Sequence, residues 1–313
     1  MNLSLRRKAN THTSVHYKKT PGQIVLLVLM YLSLIIAALI VIIPIYIIVV
    51  CSFKTNAEIS GSNPLLFPSV LRWGNYFGHT INEDTGAIIP SAWEYLSFKS
   101  SNPSSMGKAF LVTLGISGIS IILTVISGTL VAYVLSRFEF KGKKLLKVLF
   151  LVASIIPSIT MQVSIFGLIS KMGLYNTPMA LILLYAGTDI ISIYIFLQFL
   201  DNIPKALDEA ALVDGCNYFS IYLRIILPLM KPAIATVCII KGIAFYNDFY
   251  LPSLYLKDYY TISTFLNTMN GATSTEWGVV CAGVVMAIIP TIVVFCFLQN
   301  QIYSGLTSGA VKS

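Results

Sequence analysis

From Thr20 to Phe53 the chain runs without a single charged side chain. A water-soluble domain has little use for such a run, whereas a helix needs roughly 20 mostly apolar residues to cross a bilayer. Within lipid the backbone must satisfy its own hydrogen bonds, so each such run is read as a helix. Comparable stretches recur, giving six predicted spans at about 24–51, 109–136, 148–170, 178–200, 232–251 and 278–303. The first, second, third and sixth contain no charge. Only 11% of the 313 residues are charged, against about 25% in soluble domains, which supports the same class. The expectation is an all-α polytopic membrane protein with six transmembrane helices and no separate soluble domain.

Basic residues precede the first span (Arg6, Arg7, Lys8, Lys18 and Lys19), as they would in a signal peptide. The uncharged run is too long for a cleaved apolar region, and no small-x-small site closes it, so the helix is read as retained. Orientation follows from where the bases fall. With residues 1–23 inside, the inside segments hold these five, then Arg137, Lys141, Lys143, Lys144 and Lys147, then Lys205, Arg224 and Lys231, and finally Lys312. The outside segments hold Lys54, Arg72, Lys99, Lys108, Lys171 and Lys257, spread over longer loops. Fourteen bases against six, among the 21 that include intramembrane Lys241, place both termini, including a 304–313 tail, in the cytoplasm. The net charge of +8 is thus a topology signal, and a nucleic-acid partner is not expected. The five cysteines are scattered without a C-x-x-C pair and read as small apolar side chains.

Outside, the long hydrophilic stretch 52–108 is rich in aromatics such as Trp73, Tyr76, Phe77, Trp93 and Tyr95, which predicts an ordered cap rather than a tether. A second outside loop covers about 252–277. Inside, residues 201–231 form a polar insertion. Pro204 suits the first position of a helix, and Leu207, Ala210, Ala211 and Asp214 are spaced to share one face. Glu209 lies in the first turns, where its charge suits the helix dipole. Gly215 is placed as a stop. A second short helix from near Asn217 is expected to run through Tyr218, Ile221, Tyr222, Ile225 and Ile226 until Pro228 breaks it. The result is a two-helix elbow on the membrane surface, small enough in its side chains to be gripped by another protein.

The spacing Glu209-Ala210-Ala211, three residues, Gly215, nine residues, Ile225, Ile226, Leu227, Pro228 resembles the EAA loop of ABC-importer permeases at every defined position. Ala132-Tyr133-Val134-Leu135-Ser136-Arg137-Phe138, Gly173-Leu174-Tyr175-Asn176-Thr177, Leu227 to Pro232, Asn247-Asp248-Phe249 and the tail Gly305 to Lys312 are similar to its carbohydrate-importer branch, of the maltose type. The resemblance covers residue 20 to the C-terminus. It implies the type I importer architecture, in the bacterial cytoplasmic membrane, as a non-catalytic subunit. It further implies that Glu209, Ala210, Ala211, Asp214, Gly215, Ile225, Leu227 and Pro228 couple to an ABC ATPase dimer, with Gly309, Ala310 and Lys312 near it. ATP and Mg²⁺ would be bound by that partner, since this chain has no G-x-x-x-x-G-K-[ST] sequence and no expected cofactor of its own. A second, related permease forming a heterodimer and an extracellular sugar-binding protein reached by loop 252–277 are the other implied partners, beside membrane lipid. The chain departs from the family pattern at Tyr246, where Trp is frequent, at Ser164, where Pro is common, and at Leu197, often Arg.

Two charges lie near span midpoints, Asp189 and Lys241. A central Asp or Lys costs about 2.5–3.5 kcal/mol to insert, so each needs a partner. Opposite in sign and similar in depth, they are expected either to dock the fourth and fifth spans together or to line the solute path with Tyr246, Asn247 and Asp248. The leading function is inward movement of a sugar or oligosaccharide by alternating access. The alternatives are a permease for another solute and an ion-coupled transporter using Asp189 and Lys241.

Overall fold

The computed structural model describes residues 20–61, 63–81, 86–97, 104–187, 189–270 and 276–310, with the backbone alone given at 96–97, 298 and 300–310. The basic residues before Thr20, Lys99 and Lys312 lie outside the described residues, as do the side chains of Gly309 and Ala310.

Helix α1 spans Pro21–Cys51 and continues through Pro44. The Thr20 amide donates to Gln23 Oε1, and Pro21 occupies the first helical turn, where its missing N–H costs nothing. Residues up to Ile47 form a unit of their own, whose large apolar side chains are exposed all round. A helix with no polar face is suited to a lipid environment.

The second unit, from Ile48, is organised around α3 (Met106–Arg137). Against α3 pack α6 (Pro178–Gly187), α7 (Ile190–Leu200) and α11 (Lys231–Asn247), and α11 in turn meets α14 (Trp277–Ala310). Gly128 leaves room for α7 here: a Cβ there would lie 3.0 Å from the Phe196 ring. The expected third span, 148–170, is two helices, α4 (Lys143–Ile155) and α5 (Ser158–Lys171), set at 100°. Pro157 lacks an N–H and forces Ile156 into extended backbone, so the helix cannot continue. The fourth span is likewise α6 and α7 set at 41°. Among the described residues, three helices are long and apolar enough to cross a membrane, and up to six spans result if each bent pair is one.

The expectation of an all-α chain needs one correction. Two small antiparallel sheets pair β1 (His79–Ile81) with β2 (Ile88–Pro90), and β3 (Leu96–Ser97) with β4 (Ser104–Ser105). These segments lie in the hydrophilic stretch, and the first pair is rich in β-branched residues that fit a pleated surface. The remaining helices are short: α2 (Asn56–Gly61), α8 (Ala206–Val213), α9 (Tyr218–Ile221), α10 (Leu227–Leu229), α12 (Tyr250–Tyr255) and α13 (Ile262–Thr268).

Buried apolar side chains gather in three clusters. One joins the last turns of α3 and α7 to the 203–230 segment through Tyr133, Leu135, Phe196, Leu200, Ile221, Ile226 and Met230. A second unites the start of α3 with α13 and α14, and a third packs α5 and α6 on Phe245 and Tyr255. Beside the second cluster, Asn75 Nδ2 donates to the carbonyls of Ser52 (2.9 Å) and Lys54 (3.0 Å), and Ser52 shares a hydrogen bond with the Tyr76 hydroxyl. Gly278 at the start of α14 lies against this joint.

Candidate functional site

The 201–231 insertion folds as two short helices around Gly215. In α8 the termination is a paired hydrogen-bond lock: the Gly215 amide reaches Leu212 O at 3.0 Å and the Cys216 amide reaches Ala211 O at 3.0 Å. This arrangement needs a left-handed residue, and Gly215 supplies it at φ +83°. Asn217 then caps α9, its Oδ1 accepting from the Ser220 amide at 2.7 Å.

Two local expectations change. Helix α8 begins at Ala206, two residues after Pro204, whose carbonyl accepts from the Leu207 amide. Pro228 does not end the second helix. Residues Tyr222–Ile226 form a π turn, in which the Leu227 amide bonds back to Tyr222 O, and the chain passes through Pro228 as α10. A π turn widens the helix where the proline ring would otherwise strike a carbonyl. The bend comes at Met230, where this segment meets α11 at 71°.

The faces of α8 also differ from the predicted ones. Asp208 and Ala211 point inward, only 7% and 6% exposed, while Leu207, Glu209, Ala210 and Asp214 are exposed and Val213 is 89% exposed. Asp208 sets this rotation. Its Oδ2 lies 3.1 Å from Arg137 Nε, with the two side chains 10% and 5% exposed. They meet as charges rather than as an aligned hydrogen bond. Arg137 Nη2 also donates to Ile203 O at 3.0 Å, and the Tyr133 hydroxyl donates to Asp208 Oδ1 at 3.4 Å. One turn further along α3, Thr129 Oγ1 and the Tyr222 hydroxyl share a hydrogen bond of 2.8 Å. Aromatic contacts close the joint: Phe138 on Tyr218 (ring centroids 4.8 Å) and Tyr133 on Tyr222 (5.4 Å). Ile225 and Leu227 are half-buried against the same cluster, and Pro228 is exposed.

Sequence reasoning passed over Asp208 and Thr129, met Tyr133 only within a family motif, and read Arg137 as a topology charge and a member of that motif. The available signal was the spacing of four between Thr129, Tyr133 and Arg137, which aligns them on one helical face.

The intramembrane charges form a second constellation. Lys241 Nζ lies 2.5 Å from Asp189 Oδ1, with Asp189 5% exposed and Lys241 17%. Asp189 sits at the break between α6 and α7 and caps α7: its Oδ1 accepts from the Ser192 amide at 3.3 Å, and its Oδ2 accepts from the Ser192 hydroxyl. The structure does not bring Tyr246, Asn247 and Asp248 into this cluster. The Tyr246 hydroxyl donates to Ala287 O at 2.8 Å, Asn247 Nδ2 to Ile243 O at 2.9 Å, and Asp248 Oδ2 accepts from the Tyr185 hydroxyl at 2.7 Å. Asp248 Oδ1 also accepts from the Tyr250 amide at 2.9 Å, at the start of α12.

Three long apolar helices, with three bent helix pairs beside them, suit a protein that crosses a membrane several times. Residues 102–304 match the family of binding-protein-dependent transport system inner membrane components, and the chain belongs to that family. The melibiose/raffinose/stachyose import permease protein MelC of Bacillus subtilis (strain 168) is 31% identical over 274 residues, covering 86% of this chain and 91% of the relative. The trehalose/maltose transport system permease protein MalG of Thermococcus litoralis is 32% identical over 289 residues, covering 91% and 96%. A crystal structure of a bacterial ABC transporter involved in the import of the acidic polysaccharide alginate contains a chain of the same fold. It has a TM-score of 0.75 at 18% identity, over 90% of this chain and 98% of that one.

Proposed function

We propose that this chain is the permease subunit of an ATP-driven ABC importer that carries a sugar or oligosaccharide inward by alternating access. The observation that carries this reading is the elbow. Asp208 and Ala211 hold α8 to α3, so Glu209, Ala210, Val213 and Asp214 project outward from a helix anchored on its inner face. A surface presented in that way suits a partner that pushes; in this reading the partner is an ABC ATPase dimer, which binds the ATP and Mg²⁺. Six spans, with the bent pairs counted singly, and both termini in the cytoplasm then place the elbow and the 304–313 tail on the ATPase side. Residues 24–303 form the membrane domain, loop 252–277 faces the sugar-binding protein, and a second permease completes a heterodimer. Sugar is favoured as cargo because the relatives quoted above are named for oligosaccharide and disaccharide import. Asp189 and Lys241 are assigned to docking the fourth span on the fifth, because they engage each other and Asp189 is further held by Ser192.

The test is reconstitution of this chain with its second permease, ATPase and binding protein in proteoliposomes, offering maltotriose, raffinose and methionine in turn. ATP-dependent accumulation of a saccharide is the expected result. Accumulation of methionine alone would move the chain to another solute, and uptake without a functional ATPase would overturn the reading.

A further inference from the structure

We propose that Arg137 and Asp208 are positioning residues that lock the elbow to α3, so that the two move as one body when the ATPase closes. The proposal rests on the elbow being the ATPase contact and adds how its displacement reaches the membrane.

Three observations point the same way. Three polar side chains of α3 that meet the elbow, Thr129, Tyr133 and Arg137, are four residues apart, so one stripe over two turns engages both elbow helices, and Ser136 beside it donates to Asp201 where the segment begins. The contacts are distributed across the joint. Arg137 holds Asp208 in α8 and the Ile203 carbonyl before it, Tyr133 touches Asp208 and the Tyr218 carbonyl, and Thr129 holds Tyr222 beyond α9. The charged pair is also deeply buried, 5% and 10% exposed, so water cannot take the place of either partner. An ion pair in such surroundings is hard to open by halves: removing one partner strands the other charge. A pushed elbow can therefore transmit force to α3 only if this joint stays closed, and its chemistry opposes hinging.

Pulsed dipolar spectroscopy on the full transporter tests this. Spin labels are placed at exposed Val134 on α3 and exposed Leu223 in the elbow, with the native cysteines replaced, and distances are read without nucleotide and with ATP and vanadate. In the parent protein the distance distribution should be the same in both states. In Asp208→Asn and in Arg137→Gln it should shift or broaden with nucleotide, and Arg137→Lys should restore most of the parent behaviour. A nucleotide-dependent shift in the parent protein, or none in either charge variant, would overturn the proposal. Should those variants not reach the membrane, the parent protein decides: the same distance distribution without nucleotide and with ATP and vanadate supports the lock, and a shift between them overturns it. A Glu209→Lys variant separates the two readings. If it still purifies with the ATPase, the docking assignment fails, while the label distances continue to report on the lock itself.

Discussion

At the residue scale, single positions with no spare room govern the joints. A Cβ on Gly278 would lie 2.3 Å from Lys54 O and 2.8 Å from Asn75 Nδ2, in a joint whose backbone groups are fixed by hydrogen bonds. Gly278→Ala should therefore destabilise the protein by about 1–3 kcal/mol, measured as a loss of thermal stability in detergent. Gly215 has space around it but a φ of +83°, so Gly215→Ala should cost roughly 1–2 kcal/mol through backbone strain and loosen the elbow while the bundle holds. Hydrogen exchange confined to residues 206–220 would report that effect. Glu58 offers a pH test. The Ser69 hydroxyl first, and the Thr55 amide at 3.1 Å second, hold its carboxyl below the ordinary 4.5. A depressed folded value means that the stabilisation is present above pH 4.5 and lost as pH falls through the folded value. Protection of the Thr55 amide, corrected for intrinsic exchange, should follow that course and lose its pH dependence in Glu58→Gln.

At the element scale, helices were legible in the sequence and their breaks were not. Hydropathy located both ends of α1 and α3 and the start of α14 within three residues, because lipid and protein interior both select apolar side chains. It passed over the bend at Pro157 because Ile155, Ile156 and Ile159 keep the run apolar across it. The proline itself was the readable signal. At the next break the sequence held the answer in another form: Asp189 looked like a charge buried in a span, and it is also a helix cap. Its pairing with Lys241 predicts a specific mutational pattern. Asp189→Asn keeps a cap but strands the lysine, and Lys241→Met strands the carboxylate. Each alone should reduce stability by about 3–5 kcal/mol, and the double variant should recover most of that loss. Yields of folded protein and melting temperatures of the four proteins measure the coupling.

At the scale of the whole molecule, the EAA spacing located the elbow and suggested its proposed role, but not how the elbow is held. Asp208 lies beside Glu209 in the chain, yet one points inward and the other outward, a difference set by Arg137 from a distant helix. No local pattern encodes such a choice, because it depends on which face the tertiary partner covers. The π turn that carries the chain through Pro228 was likewise hidden, since propensity assigns proline to a helix end. In the proposed function an exposed docking face, a buried lock and a central helix form one lever, which requires the ATPase to bind the outward face of α8. Photo-crosslinking in membranes, with benzoylphenylalanine at Val213 and a control at exposed Trp73, tests this most directly. An ATPase adduct from position 213 and none from 73 is the predicted result. The absence of an ATPase adduct at 213, with the transporter assembled and active, would contradict it.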